Sequence, residues 1–169
     1  MRYGEEMRVD KHEDYSHSRH MTVVEHSTHL KAPVDVIWGA VKTPTAFRRV
    51  TRGLLRMPVI QERNDEWCEG ETVVGWTFLF GFLPFSRHHL HIVRIDDSMR
   101  TLSSREFGGL IRMWNHDIEV TAINESSCLY RDQIEIDAGM MTPIVVAYAH
   151  WFYRMRQRRW RALAKEINK

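Results

Sequence analysis

Residues 55–137 read almost entirely as short strands separated by turns, and one long helical segment follows them. The turns are rich in Gly, Pro, Asn, Asp and Ser, and connections this short join antiparallel neighbours. The predicted strands are 55–62, 71–80, 86–96, 99–107, 110–123 and 128–137. Thr142 and Pro143 then open a helix that extends to about Asn168. Such a meander must bury one face, and the closing helix is long enough to cover it.

The N-terminal part adds one strand and two short helices. Residues 21–30 predict a strand, Pro33 suits the first turn of a helix that reaches Val41, and Thr43 is the N-cap of a second helix. The order predicts an α+β fold, in which a curved antiparallel sheet of about seven strands packs its concave face against the last helix. Residues 1–20 are polar and His-rich without a period, and predict a flexible tail before a single domain at 21–169.

Composition excludes several classes of protein. With 43% hydrophobic and 27% charged residues, the chain is neither disordered nor a coiled coil. Its two cysteines lie in no CxxC pair, which predicts reduced thiols rather than a secreted disulfide scaffold. The longest apolar run, residues 73–85, is too short to span a membrane, and the N-terminus lacks the apolar core of a signal peptide. We therefore expect a cytoplasmic protein without a transmembrane segment.

Several segments together resemble one known superfamily. KAPVDVIWGAV at 31–41 resembles the "I-x-A-P-x-x-V-W" opening of the START-like (SRPBCC) superfamily, and GGLIRMWNHDIEV at 108–120 is similar to its "G-x-x-x-x-W-x-H" strand. YRDQIEI and RMRQRRWRALA follow in the expected order. The resemblance covers residues 21–167 and implies the helix-grip fold, with a hydrophobic cavity between the sheet and the long helix. It implies a hydrophobic or aromatic small-molecule ligand, such as a lipid, polyketide or quinone, and no cofactor.

Aromatic residues are the first candidates for the cavity wall. Three of them share one face of a predicted strand, a fourth lies in the apolar phase of another strand, and others follow the apolar stripe of the last helix. Each alone is explained by ordinary core packing, but as a set beneath a concave sheet they predict a ligand pocket. The predicted wall contains Trp76, Phe78, Phe80, Trp114, Tyr148, Phe152 and Met155.

The last helix also carries many basic side chains. Arg159 falls inside its apolar stripe next to Glu166, which predicts either an ion pair near the cavity mouth or a site for a ligand carboxylate. Other basic residues predict a solvated face or, alternatively, a weak salt-sensitive polyanion surface, and no specific nucleic-acid partner. These residues are Arg154, Arg156, Arg158, Arg161 and Lys165.

Two histidines on the strand at 86–96 permit a different kind of site. His89 and His91 share a face, a spacing that can hold a metal, but no third and fourth ligands stand conveniently beside them. We expect no metal site. A two-residue turn at Gly108 and Gly109 and a tight turn at residues 96–98 would together place both histidines in the cavity with Arg105 of the next strand. A slip of one residue would instead turn Leu90 and Ile92 inward.

His116 and Asp132 interrupt the apolar phases of two neighbouring strands. A buried carboxylate needs a partner, and the register that keeps both apolar phases on one side puts residue 118 or 120 opposite Asp132, close to His116. The pair is either structural or the proton-transfer pair of an enzyme resembling a polyketide aromatase/cyclase or dehydratase. The sequence contains no GxSxG, Gly-rich phosphate loop or HExxH motif. A non-catalytic ligand-binding protein is thus the leading interpretation, and whether it is a monomer or a homodimer stays open.

Overall fold

The computed structural model describes residues 21–168. Within them, seven strands form one antiparallel sheet in the order β1-β7-β6-β5-β4-β3-β2. The strands are β1 (Thr22–Leu30), β2 (Leu55–Arg56), β3 (Thr72–Leu79), β4 (Leu83–Asp96), β5 (Thr101–Gly108), β6 (Ile111–Asn124) and β7 (Ser127–Asp137). The helices are α1 (Val34–Val41), α2 (Pro44–Thr51), α3 (Pro58–Gln61) and α4 (Thr142–Ile167). The curled sheet and long C-terminal helix confirm the predicted helix-grip fold; the predicted tail at 1–20 lies outside the described residues.

Local signals in the sequence set the helix boundaries. The Thr43 hydroxyl accepts a hydrogen bond from the backbone N–H of Ala46 at 3.1 Å, and Pro44 occupies the first turn of α2. At the start of α4 the Thr142 hydroxyl accepts from the backbone N–H of Ala138 at 2.9 Å and donates to the carbonyl of Gly139 at 2.8 Å. These bonds fix the chain direction where α4 leaves the sheet.

The predicted strand at 55–62 is wrong beyond its first two residues. Strand β2 ends at Arg56, and α3 begins at Pro58. Proline lacks the N–H that a strand would donate, and its fixed φ suits the first turn of a helix. The apolar residues Met57 and Ile60 are nonetheless buried, so this segment keeps its place in the core.

The β6–β7 register keeps two apolar phases on the concave face. Ile118 lies opposite Asp132, which is one of the two predicted registers. The inward residues of β6 therefore run from Trp114 to Val120 in steps of two. On β7, the buried residues Tyr130, Ile134 and Ile136 point to the same concave face. Asp132 lies within this buried row.

The β4–β5 and β5–β6 hairpins depart from the predicted registers. The β4–β5 turn is four residues long, because Asp96 pairs with Thr101, and a bulge follows between Ile92 and Arg94. A second bulge lies in the β5–β6 hairpin, where Arg112 and Met113 of β6 lie opposite Phe107 of β5. Each bulge adds a residue to one strand. The bulge in the β5–β6 hairpin reverses the phase of β5 and β4 relative to Trp114. As a result Ser86, His88, Leu90 and Ile92 of β4 face the concave side, and His89 and His91 do not.

Candidate functional site

A cavity of about 290 Å³ lies between the concave face of the sheet and the N-terminal half of α4. Most of its wall is apolar, from strands β2 to β6 and from α4. Trp114, Tyr148 and Phe152 contribute aromatic surface, as the sequence predicts. The cavity reaches the surface beside Leu110, Met141 and Ile144, which line it and are exposed.

Four polar side chains lie together in the otherwise apolar wall. His88, Glu106, His116 and Arg156 come from β4, β5, β6 and α4 in that order. Their positions follow from strand parity on the sheet and from α4, where residue 156 lies one turn beyond Phe152. This polar end is the part of the cavity where chemistry or specific recognition could occur.

Behind His116, a buried network holds the polar end together. Nε2 of His116 lies 2.8 Å from Oδ1 of Asp132, so the predicted pairing is confirmed. The Tyr130 hydroxyl donates to the same oxygen at 2.8 Å, and Nη2 of Arg156 donates to the Tyr130 hydroxyl at 3.1 Å. Arg156 Nη1 lies 3.6 Å from Asp132 Oδ1. All four side chains are buried.

Electrostatics keep Asp132 ionised. Burial alone would raise its pKa, but the Arg156 charge and the hydrogen bonds from His116 and Tyr130 outweigh burial, and the pKa lies below its ordinary value. Burial also opposes the charged guanidinium of Arg156, yet the surrounding Tyr130 and Asp132 raise its pKa above the usual range. With a carboxylate on Nε2, His116 donates from that nitrogen. Its Nδ1 then accepts no hydrogen bond from a described residue.

A second histidine–carboxylate pair lies on the same wall. His88 Nε2 is 2.9 Å from one oxygen of Glu106, and the Ser104 hydroxyl donates to the other at 2.8 Å. Burial raises the pKa of Glu106, but hydrogen bonding and the charge of His88 bring it below the ordinary value. The cavity thus contains two imidazoles, each held by a carboxylate.

Two buried polar atoms of cavity-lining residues have no hydrogen-bond partner among the described residues. They are the Tyr148 hydroxyl and Nε of Arg156. Burial raises the pKa of Tyr148 to about 12, so its hydroxyl stays a donor. An unpartnered buried donor carries a desolvation cost, which a polar group in the cavity would relieve.

The aromatic face predicted on β3 is wrong. Trp76 and Phe80 are 56% and 45% exposed, and Phe78 lies beneath the guanidinium of Arg56, 5.9 Å from its ring centre. None of the three lines the cavity, which instead takes Thr77 and Leu79 from this strand. Apolar side chains occupy both faces of β3, so their alternation does not identify the inward face, and a bulge at Thr77/Phe78 shifts the register.

The predicted polar set on β4 and β5 is also wrong. His89 stacks on Phe107 at 4.5 Å, and Nδ1 of His91 lies 2.8 Å from the Thr72 hydroxyl. Arg105 pairs with Asp117 at 3.3 Å. These contacts lie on the outer face of the sheet, because the bulge in the β5–β6 hairpin reverses the assumed phase of β5, and of β4 paired with it, relative to His116.

Two residues of α4 that the sequence predicts in the cavity wall, Met155 and Arg159, do not line the cavity. Met155 packs half-buried against the core beside the cavity and does not line it. Arg159 donates to the backbone carbonyls of Val50 and Arg52, whereas Glu166 pairs with Arg49, so the predicted Arg159–Glu166 ion pair is wrong.

Arg156, His88 and Glu106 are the site residues that the sequence did not identify. Arg156 is 5% exposed, although the sequence assigned it to a solvated face. The sequence contains a signal for its burial, because Arg156 lies four residues from both Phe152 and Trp160, which are on the apolar side of the helix. His88 and Glu106 required the true register of β4 and β5.

Within residues 21–168, no group of three or more His, Cys, Asp or Glu side chains could hold a metal ion. No helix in that part of the chain is long and apolar enough to cross a membrane.

Comparison with solved structures identifies the fold. Norcoclaurine synthase from Thalictrum flavum, in complex with dopamine and hydroxybenzaldehyde, is 14% identical over 96% of this chain and 98% of that one, with a TM-score of 0.65. An aromatase/cyclase, ZhuI from a Streptomyces species, is 11% identical over 88% and 96%, with a TM-score of 0.67. A START superfamily protein from Mycobacterium smegmatis is 10% identical over 86% and 98%, with a TM-score of 0.64.

These neighbours confirm the START-like fold, and at such identities they show the fold alone. Among curated proteins, none matches the sequence. Residues 28–164 match a protein family described as a domain of unknown function, DUF8410. The match spans most of the chain, and the protein therefore belongs to the DUF8410 family.

Proposed function

We propose that this protein binds a small hydrophobic or aromatic molecule in the cavity beneath α4. The observation that carries the proposal is a cavity of about 290 Å³ with a mainly apolar wall and one cluster of polar groups. Small-molecule sites have this composition, and their volumes start near 300 Å³. The START-like neighbours, one of them solved with two aromatic compounds, support the same class of ligand.

The wall chemistry defines the ligand further. Rings of Trp114 and Phe152 offer flat apolar surface to an aromatic or polycyclic body. Nε of Arg156, at the polar end, and the hydroxyl of Tyr148, two turns nearer the mouth on α4, are donors without partners among the described residues. A carbonyl, phenolate or similar acceptor on the ligand would satisfy either donor. We therefore infer an aromatic body with at least one oxygen acceptor.

Binding is tested with the neutral fluorophore N-phenyl-1-naphthylamine. The wild-type protein should bind it saturably with one-to-one stoichiometry. Val145 lines the cavity, and Val145→Trp should fill part of the space and weaken binding at least tenfold. The matched control is Val36→Trp on α1, at an exposed position away from the cavity.

Trp76→Ala provides a second control, because this exposed residue lies outside the cavity and should leave binding unchanged. Far-UV circular dichroism and urea denaturation check that each variant folds. No saturable binding by folded, ligand-free wild type, or equal loss in the Val145 and Val36 variants, would overturn the proposal.

A second candidate function is catalysis by an aromatase/cyclase- or dehydratase-like enzyme. The observation that favours it is the pair of histidines, His88 and His116, each held by a carboxylate on the cavity wall. With Nε2 of His116 donating to Asp132, Nδ1 is the nitrogen left to accept a proton from a carbon next to a ligand carbonyl. The solved aromatase/cyclase with the same fold supports this chemistry.

Proton abstraction is tested with 2-acetylnaphthalene in D₂O. If His116 acts as a base, the protein should accelerate loss of the methyl proton signal in NMR, and His116→Asn should abolish the acceleration. His89→Asn, on the outer face, is the matched control. No acceleration by a protein that binds the ketone favours the binding function over the enzyme.

A further inference from the structure

We propose that the mouth of the cavity docks on the surface of an anionic lipid bilayer. The surface concerned, called here the mouth surface, consists of the turns 52–54, 80–84 and 108–112 together with residues 138–144. The antiparallel sheet brings these segments to one edge of the molecule, namely the end at which β3, β5 and β7 stop and β4 and β6 start. The cavity opens at the same edge.

The mouth surface exposes large apolar side chains on several separate turns. Phe82 is 76% exposed, Met140 is 91% exposed and Ile144 is 63% exposed. Leu83 and Leu110 are also exposed. Isolated exposed apolar residues are ordinary, but a group gathered around a cavity mouth marks an interaction site.

Charge points to an anionic surface as the occupant. Four exposed arginines, Arg52, Arg56, Arg87 and Arg112, lie in or next to these segments, and none forms an ion pair with a described residue. Arg63, Arg94, Arg100, Arg105 and Arg131 each have an acidic partner. Arg154, Arg158 and Arg161 on α4 also form no ion pair with a described residue, which makes that helix face the rival surface tested below. The mouth-surface segments contain no Asp or Glu.

Contacts place two of these arginines next to segments that carry exposed apolar side chains. Phe80 donates its backbone N–H to the carbonyl of Leu54 at 2.8 Å, which places the turn of Arg52 against the turn of Phe82. The Arg112 guanidinium lies so close to Gly139 that a Cβ there would approach it to 2.9 Å. Basic and apolar groups therefore lie side by side, as in surfaces that bind anionic bilayers.

The opposite edge of the molecule has the reverse character. Its loops, 31–35, 62–71, 97–100 and 124–127, contain eight acidic residues and three basic ones. The C-terminal turn of α4 also reaches this edge, where Asn168 Nδ2 donates to the carbonyl of Lys31 at 3.1 Å, and it adds Arg161, Lys165 and Glu166. The edge still carries more acidic than basic residues, so an anionic surface would favour approach with the cavity mouth first. An apolar ligand could then pass between the lipid and the cavity without entering water.

The test is flotation of the full-length protein with vesicles of 70% phosphatidylcholine and 30% phosphatidylserine. Phe82→Ser with Met140→Ser should weaken binding at least tenfold, because both side chains would enter the lipid. Arg52→Gln with Arg112→Gln should weaken it about fivefold per arginine, and salt should weaken wild-type binding. Vesicles of phosphatidylcholine alone should bind far less protein.

The controls lie elsewhere on the molecule. Met99→Ser removes a 67% exposed side chain at the acidic edge and should have no effect. Arg158→Gln with Lys165→Gln tests the basic face of α4 as the rival polyanion surface. Loss of binding in this helix variant but not in the mouth-surface variants would overturn the proposal. So would absence of vesicle binding, which would leave the mouth surface to a protein partner.

The vesicle and probe experiments test membrane docking and ligand binding independently, so each proposal can be rejected without the other. None of the residues changed in these variants lines the cavity, so N-phenyl-1-naphthylamine should bind all of them as it binds wild type. Probe binding without vesicle binding would reject the docking surface alone. Vesicle binding by a protein that takes no probe would reject the proposed ligand function alone.

Discussion

Replacing Asp132 with Asn tests whether the buried network stabilises the fold at the polar end of the cavity. The substitution keeps the shape of the side chain and one acceptor oxygen but removes its charge. Asp132 is fully buried, and its Oδ1 faces His116, Tyr130 and Arg156 at 2.8, 2.8 and 3.6 Å. In the variant, the guanidinium of Arg156 stays buried without its carboxylate.

The expected cost follows from that unpaired charge. Removing one partner of a buried ion pair costs about 3–5 kcal/mol, a large part of the roughly 5–15 kcal/mol that stabilises a typical domain. For a chain of this length, that loss lowers the melting temperature by about 6–20 °C. The double variant Asp132→Asn with Arg156→Met removes both charges, and should lose much less than the sum of the single variants.

Urea denaturation, followed by circular dichroism and tryptophan fluorescence at pH 7, measures these differences. The midpoint should shift without a change in slope. A double-mutant cycle additive within about 0.5 kcal/mol, or a cost below about 1 kcal/mol for Asp132→Asn, would refute the network's role in stability.

The ion pair of Asp132 with Arg156 also predicts how the free energy of unfolding depends on pH. The pKa of Asp132 is lower in the folded protein than its ordinary value of 3.8, so the stabilisation is fully present above pH 3.8. It is lost as the pH falls through the lower, folded-state pKa. The difference in unfolding free energy between wild type and Asp132→Asn should therefore be constant from pH 7 to pH 5 and shrink below pH 4.

Four further predictions concern other parts of the molecule. Burial raises the pKa of the Cys128 thiol to about 11, so a thiol reagent at pH 8 should label native protein at the exposed Cys68 alone, and label both after unfolding. Alanine at Gly39, with open space around the added Cβ, should raise the unfolding free energy by about 0.5–1 kcal/mol in urea titrations. At Gly108, the Cβ would lie 2.4 Å from a carbonyl oxygen of β4, and alanine should cost about 1–3 kcal/mol. Burial, and then the neighbouring His150 on α4, lower the pKa of His26 below 6.5, so the folded protein binds a proton there less readily than the unfolded chain does. The melting temperature should therefore fall from pH 7 to pH 5, and His26→Gln should reduce that fall.

The sequence predicted those parts of the site that lie on long, regular strands. In β6 and β7 each apolar phase runs for several residues without a bulge, so parity alone places His116 and Asp132 on the concave face. The antiparallel sheet of about seven strands and the closing helix were predictable for the same reason. Short turns and regular alternation leave few alternatives.

Where the pattern was two-sided or interrupted, prediction failed. Trp76 and Phe80 lie on or just after a strand with apolar side chains on both faces, and the bulge in the β5–β6 hairpin reverses the phase of His89 and Arg105. Arg156 was misplaced because the charge that allows its burial is on β7, far away in the sequence. Helical periodicity carries no information about such a partner.

Tyr148, Phe152 and Arg156 follow one another at steps of four along α4, and all three line the cavity. These three side chains on one helix therefore line the cavity from its apolar mouth to its polar end, over about 12 Å at 1.5 Å per residue, and would all face the proposed ligand. The sheet beneath can stay constant while these three positions vary. Selection, in nature or in a small combinatorial library, could thus change ligand preference through three codons, a search of about 8,000 sequences when all twenty amino acids are allowed at each position.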